Sequence, residues 1–185
     1  MNFVCVTPVL NSPTLLRETM ITVLEQSALA LGTAPLHYVI VDGASSDDTF
    51  AVAKEVASDY RANKNIKVTL ISEKDSGMYE ALSKGFIRAG LASDIYCYIN
   101  AGDLYSPTAF DIVSRCFERG EQTNINWLTG RQIIYDVEGR VLSDRLPYRY
   151  DSRLIQCGLL GAYTRHSIVR ESTFRTAHLP RKIDF

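Results

Sequence analysis

The sequence predicts an α/β fold in which a mostly parallel sheet carries helices on both faces. Two observations lead to that expectation. Short apolar runs alternate with amphipathic stretches through the first half of the chain, the pattern of successive βαβ units. Polar, acidic or glycine-rich segments follow those runs, at Thr7-Pro8-Val9, Asp42-Gly43, Ser72 to Gly77 and Asn100 to Asp103. Open α/β sheets bind ligands beyond the carboxyl ends of their strands.

Each element has its own local justification. Phe3 to Val6 is an apolar run and reads as the first strand. Pro13 to Leu29 reads as a helix in which Leu15, Leu16, Thr19, Met20, Val23 and Leu24 share one broad face. Leu36 to Val41 is the second strand. The Ser45-Ser46-Asp47-Asp48 cluster opens a helix over Asp47 to Ala62, because such side chains satisfy orphan N–H groups at a helix start. Lys67 to Ile71 is the third strand, Met78 to Ala89 a helix followed by Gly90, and Ile95 to Ile99 the fourth strand. Pro107 to Glu118 reads as a helix with proline in its first turn.

From about Asn124 the pattern changes. Trp127 to Tyr135, Arg140 to Leu142 and Gly158 to Thr164 read as strands or long loops, and Asp136 to Gly139 as a hairpin turn. The expected organisation is therefore an α/β region over 1–123 whose strand ends form a ligand-binding edge, and an extension of the same domain over 124–185.

Composition narrows the function classes. The 185 residues are 46% hydrophobic and 22% charged, suited to one globular domain. A net charge of −1 supplies no field to recruit nucleic acid. No apolar run has the length of a membrane span, and the start has no basic leader region, so a secretory signal is not expected. Cys5, Cys97, Cys116 and Cys157 form no CxxC pair and read as free thiols in a reducing, cytoplasmic compartment. His37, His166 and His178 are too scattered for a zinc site.

Asp42 follows the apolar run HYVIV, and a carboxylate there can accept from a ribose hydroxyl or a base N–H. Asp47 and Asp48 read as helix caps. Asp75 precedes Gly77 and a helix start. Asp103 ends YCYINAGD, and its hard oxygens suit Mg²⁺ or Mn²⁺ bridging to a diphosphate. Read alone, Asp103 is an aspartate opening a turn; with Asp42 and Asp75 at neighbouring strand ends, the ligand reading is preferred. Lys84 and Arg88 read as a solvated helix face. VCVTPVLN stands where a dinucleotide-binding fold has GxGxxG, and no GxxxxGK[ST] occurs. GLLG at 158–161 lacks the serine of a nucleophile elbow.

VTPVLN with LRETMITVLEQS, VIVDGASSDDT, SEKDSGMYEALSKGF and YINAGDLYSP, in that order over residues 3 to about 107, resemble a family-2 glycosyltransferase of the GT-A fold. The resemblance implies a Rossmann-related sheet that binds a nucleoside diphosphate sugar, of the type found in bacterial polysaccharide biosynthesis. It implies that Thr7, Pro8 and Asp42 line the nucleoside pocket, that Asp75 contributes on its other side, and that Asn100 to Asp103 takes the place of the metal-binding motif. Many relatives have two aspartates there; Gly102-Asp103 leaves one carboxylate.

The implied reaction transfers the sugar with inversion to the hydroxyl of a glycan or lipid-linked acceptor, with an aspartate as general base and a divalent ion at the departing diphosphate. Prevalence in the family favours UDP over GDP. The late motif Lys182-Ile183-Asp184-Phe185 makes Asp184 the candidate base, with Asp144 and Asp151 as alternatives. Leu159-Leu160 stands where relatives carry a His-Gln pair, and the chain stops just after Asp184. The resemblance therefore implies a chain that binds donor better than it turns it over. The alternatives are a non-catalytic nucleotide-sugar binder and a sugar nucleotidyltransferase, for which VTPVLNSP lacks the glycine-rich basic loop. Arg145, Arg149, Arg153, Arg165, Arg170, Arg175, Arg181 and Lys182 form loose basic clusters suited to peripheral contact with the inner face of a membrane.

Overall fold

The computed structural model describes residues 1–90, 92–120, 127–145 and 173–176. The elements run β1 (Phe3–Val9), α1 (Pro13–Leu24), α2 (Ser27–Ala30), β2 (Leu36–Asp42), α3 (Thr49–Asp59), β3 (Ile66–Ser72), α4 (Met78–Ala89), β4 (Ile95–Tyr98), α5 (Ala109–Gly120), β5 (Trp127–Thr129), β6 (Gln132–Tyr135), β7 (Val141–Arg145) and β8 (Thr173–Thr176). Six strands form one sheet in the order β3-β2-β1-β4-β8-β5. The β3/β2, β2/β1 and β1/β4 pairs are parallel, while β8 runs against both β4 and β5. β6 and β7 pair separately as a hairpin.

Alternation along the central strands divides the core in two. Phe3 and Cys5 of β1, Tyr38 and Ile40 of β2, and Ile95 and Cys97 of β4 face α1, α2, α3 and α5; Phe3 stacks on Phe110 at 4.4 Å. Val4, Val6, Val39, Val41 and Tyr96 face Ala81 and Leu82 of α4. Helices thus cover both faces, as expected, and β1 is buried along its whole length.

Pro8 looks out of place in a central strand, since it has no N–H for the ladder. The register explains it. Ile99 N–H donates to Val6 O at 3.0 Å and Gly43 N–H donates to Val9 O at 2.9 Å. Even positions of β1 therefore point their backbone groups toward β4, which pairs only as far as Tyr98 opposite Val6. Pro8 lies past the end of that ladder, so no bond is lost, and β1 parts from the chain leaving β4 at the carboxyl edge.

Several boundaries differ from the sequence expectations for physical reasons. The helix begun at Pro13 stops at Leu24, because Gln26 is extended (φ −61, ψ 135) and α2 restarts at Ser27. Leu15 is 46% exposed rather than part of the buried face. The second long helix starts at Thr49, with Asp47 accepting from the Thr49 N–H at 3.0 Å; Asp48 makes no side-chain cap bond. α5 starts at Ala109, past Pro107. The Asp136–Gly139 turn is present, with Gly139 N–H donating to Asp136 O at 3.0 Å. Trp127 to Tyr135 splits between two sheets, as β5 and β6. Gly158 to Thr164 lies outside the described residues.

Candidate functional site

The carboxyl edge is built from strands that end together. Val9, Asp42 and Ser72 are register partners across β1, β2 and β3. Asp42 is fully buried. Its carboxylate accepts from the Ser45 N–H at 3.2 Å, from the Ser45 hydroxyl and from the Ser72 hydroxyl at 2.6 Å. Those donors offset the cost of burying a charged group. The turn that brings Ser45 back has Ala44 in the left-handed region (φ 62), which costs a residue with a Cβ about 1–2 kcal/mol. Asn11, also left-handed, ties the first loop to the second: its N–H donates to Ser45 Oγ at 2.8 Å and its Oδ1 accepts from Ser46 N–H at 2.9 Å.

Asp75 reaches the same turn from β3. A Cβ on Gly43 would lie 3.0 Å from Asp75 Oδ2, so the missing side chain at 43 is what lets the two acidic loops approach. The other oxygen accepts from Gly77 N–H at 2.9 Å, and Gly77 (φ 132) precedes α4. Glu80, in the first turn of α4, accepts from the Ser76 N–H at 2.7 Å. The Ser76 hydroxyl, with Lys84 behind it, pulls the Glu80 carboxyl down to about 2. Lys84 is committed to Glu80 at 3.0 Å, Glu73 at 3.2 Å and the Lys74 carbonyl at 2.7 Å, so it braces this loop. Arg88 is exposed.

The third acidic residue sits beyond β4. Asp103 is exposed and its N–H closes a turn onto Asn100 O at 3.1 Å. Gly102 has φ 101, a conformation suited to glycine. Thr19 of α1, fully buried, accepts from Gly102 N–H at 2.9 Å and donates to Asp103 O at 2.9 Å. Gln26 donates to Ser106 O at 2.8 Å and accepts from Phe110 N–H at 3.0 Å. Sequence reasoning missed these roles. The signal was a threonine within an otherwise apolar face; its partners lie some 80 residues away.

The structure therefore brings the segments of Asp42, Asp75 and Asp103 to one edge of the sheet. It does not bring the Thr7 side chain there. Thr7 is fully buried and shares a 2.8 Å hydrogen bond with Tyr38 OH inside the core, where burial pushes the tyrosine well above its usual range. Pro8 is buried at the gap between β1 and the chain leaving β4. Asp144 pairs with Arg131 across the hairpin, Nε to Oδ1 at 2.6 Å, and that hydrogen bond lowers its pKa. It is a poor base in that pairing. Asp184 and Asp151 lie outside the described residues. Among the described residues no three His, Cys, Asp or Glu side chains converge as a metal site. Asp103 is an exposed residue, and its carboxylate is the kind of hard oxygen group that suits a divalent ion taking its remaining ligands from a diphosphate and water.

The family model described as glycosyl transferase family 2 matches residues 4–172. The chain belongs to that family. No curated protein matches this family-2 chain. Solved structures share its GT-A-like fold at low identity. Mannosyltransferase PcManGT from Pyrobaculum calidifontis, in complex with GDP-Man and Mn²⁺, is 20% identical with a TM-score of 0.55; the match covers 72% of this chain and 35% of that one. Staphylococcus aureus TarS 1-349 with UDP is 16% identical with a TM-score of 0.63, covering 96% and 47%. Glucosyl-3-phosphoglycerate synthase from Mycobacterium tuberculosis with UDP is 16% identical with a TM-score of 0.57, covering 95% and 57%. The chain thus spans between about a third and three-fifths of these relatives' length.

Proposed function

We propose that this chain holds a nucleoside diphosphate sugar at the carboxyl edge of its sheet, as the donor part of an inverting glycosyltransferase. The observation that carries the reading is the joining of the Asp42 turn to Asp75 through Gly43, on the edge where Asp103 also emerges. In this reading Asp42 exchanges a serine hydroxyl for a ribose hydroxyl or base N–H, beside the carboxyl end of β1 at Pro8, and Asp75 closes the other side. Asn100 and Asp103 take the diphosphate end, where Asp103 holds Mg²⁺ or Mn²⁺. Such an ion stabilises charge on the departing diphosphate.

The acceptor oxygen then forms a bond to the anomeric carbon on the face opposite the diphosphate. The bond to the diphosphate oxygen breaks, and the diphosphate leaves with the electron pair. An aspartate takes the acceptor proton, and Asp184 is our candidate. The names of PcManGT and TarS pair that fold with GDP-Man and Mn²⁺ and with UDP; family prevalence favours UDP here. We place the chain in the cytoplasm, with a glycan or lipid-linked acceptor and peripheral membrane contact through its late arginines. No described helix is long and apolar enough to cross a membrane. Calorimetry with UDP, GDP, dTDP and CMP, each with Mn²⁺, tests the donor reading, and failure of every one to bind would remove it. Sedimentation with anionic liposomes tests the surface contact, which a lack of charge-dependent binding would reject.

A further inference from the structure

A helix face packed into a core is normally apolar, because a buried polar side chain loses about 1–3 kcal/mol unless it finds a partner. The inward face of α1 breaks that rule at Thr19 and Thr22, three residues apart and so on one side of the helix, and Gln26, in the extended turn just past its end, adds a third buried polar group. Thr19 and Gln26 are fully buried and Thr22 is half-buried. Each is bonded to the backbone of the segment after β4. Thr19 Oγ1 accepts from Gly102 N–H and donates to Asp103 O, both at 2.9 Å. Thr22 Oγ1 accepts from Tyr105 N–H at 3.3 Å. Gln26 donates to Ser106 O and accepts from Phe110 N–H.

We infer that Thr19, Thr22 and Gln26 are positioning residues that set where the Asp103 carboxylate stands, with Thr19 the one that matters most. This rests on the reading of Asp103 as the metal ligand. The segment between β4 and α5 has no strand or helix of its own to hold it. Thr19 bonds on both sides of the Asp103 α-carbon, through the preceding residue's N–H and through Asp103's own carbonyl, and so fixes the direction in which the Cα–Cβ bond leaves the backbone. A site with a single protein carboxylate depends on that direction more than one with several, since no second ligand corrects a misplaced first.

The test uses the full chain, with Mn²⁺ and UDP as probes. Free Mn²⁺ is followed by electron paramagnetic resonance with and without saturating UDP. Metal-free UDP affinity and circular dichroism are recorded alongside. Wild type should bind Mn²⁺ more tightly with UDP present, and Asp103→Asn should lose that gain. Thr19→Val keeps the shape but leaves the Gly102 N–H without its acceptor. It should weaken UDP-dependent Mn²⁺ binding about 10-fold, as loss of a group orienting a metal ligand does, with metal-free UDP affinity unchanged. Thr19→Ser, which restores the hydroxyl, should recover most of the loss. Thr22→Val gives a second reading, a smaller loss of the same kind, should Thr19→Val not fold. Wild-type Mn²⁺ affinity in the folded valine variants, with Asp103→Asn impaired, would overturn the positioning role alone. Asp103→Asn binding like wild type would overturn the metal reading and this inference with it.

Discussion

Gly85 lies where α4 crosses β1 and β2. A Cβ at this position would fall far inside the contact distance of Val6 Cγ1 and sit 3.1 Å from Val41 Cγ2 and 3.2 Å from Val6 Cγ2. Carbon atoms pack at about 3.5–4.0 Å, so the added methyl overlaps three at once. Val6 and Val41 are fully buried, and a β-branched side chain has little rotamer freedom with which to yield. Overpacking of this kind costs about 1–3 kcal/mol. Replacing glycine by alanine within a helix returns about 1 kcal/mol. Three simultaneous overlaps put the cost in the upper half of that range, about 2–3 kcal/mol, so Gly85→Ala should destabilise by about 1–2 kcal/mol net in urea unfolding, with a Tm loss of about 2–4 °C for each kcal/mol in a chain of this size. The cause is tested by a cycle with Val6→Ala, which removes the clashing methyls. The double variant should be more stable than the sum of the singles implies, by about 1–2 kcal/mol. Simple additivity, or a Gly85→Ala variant as stable as wild type, would refute the packing argument.

Three further outcomes follow from the same structure. Gly43→Ala places a methyl 3.0 Å from Asp75 Oδ2; a shift of a few tenths of an ångström should lower UDP affinity several-fold, while urea stability falls by about 1 kcal/mol, the low end for an added methyl, and unchanged affinity would uncouple the two loops. Glu80 has its carboxyl lowered from 4.5 to about 2. Its contribution to stability is therefore complete above pH 4.5 and disappears as pH falls through about 2; a carbon-13 titration midpoint near 4.5 would contradict the Ser76 bond. Cys5 and Cys97 are buried, and burial raises the Cys5 thiol. Alkylation of the native chain, read by mass spectrometry, should mark the half-buried Cys116 well before either, and early labelling of Cys5 would show that β1 opens.

The parts of this fold legible in the sequence are those whose signals are local. α4 begins and ends where expected because Gly77 and Gly90, both with positive φ, mark its two ends. The acidic edge was legible because strands that alternate with helices run the same way, which puts residues 42, 75 and 103 on one side of the sheet. The break after Leu24 was not legible, since the bonds that accompany it join Gln26 to Ser106 and Phe110. The Thr7 orientation is legible too. Alternation from Phe3 through Cys5 places Thr7 on the inward face, and Tyr38 in the second strand supplies its partner.

The charge balance at the edge bears on why a divalent ion belongs there at all. Asp42 and Asp75 are held by neutral donors, the Ser45, Ser72 and Gly77 groups. No described cation pairs with either. Lys84, the base of the loop's own helix, spends its charge on Glu73 and Glu80. Other described carboxylates, such as Glu55 with Arg17 and Asp144 with Arg131, have guanidinium partners. The edge thus keeps its negative charge where a donor would dock. A ribose or base N–H gains from that charge, as a hydrogen bond to an ionised acceptor is about twice as strong as a neutral one. A diphosphate is repelled by it unless a cation arrives with it. In the proposed donor reading, a diphosphate arriving beside these aspartates would bring a divalent ion with it, and Asp103 is the ligand we propose for that ion.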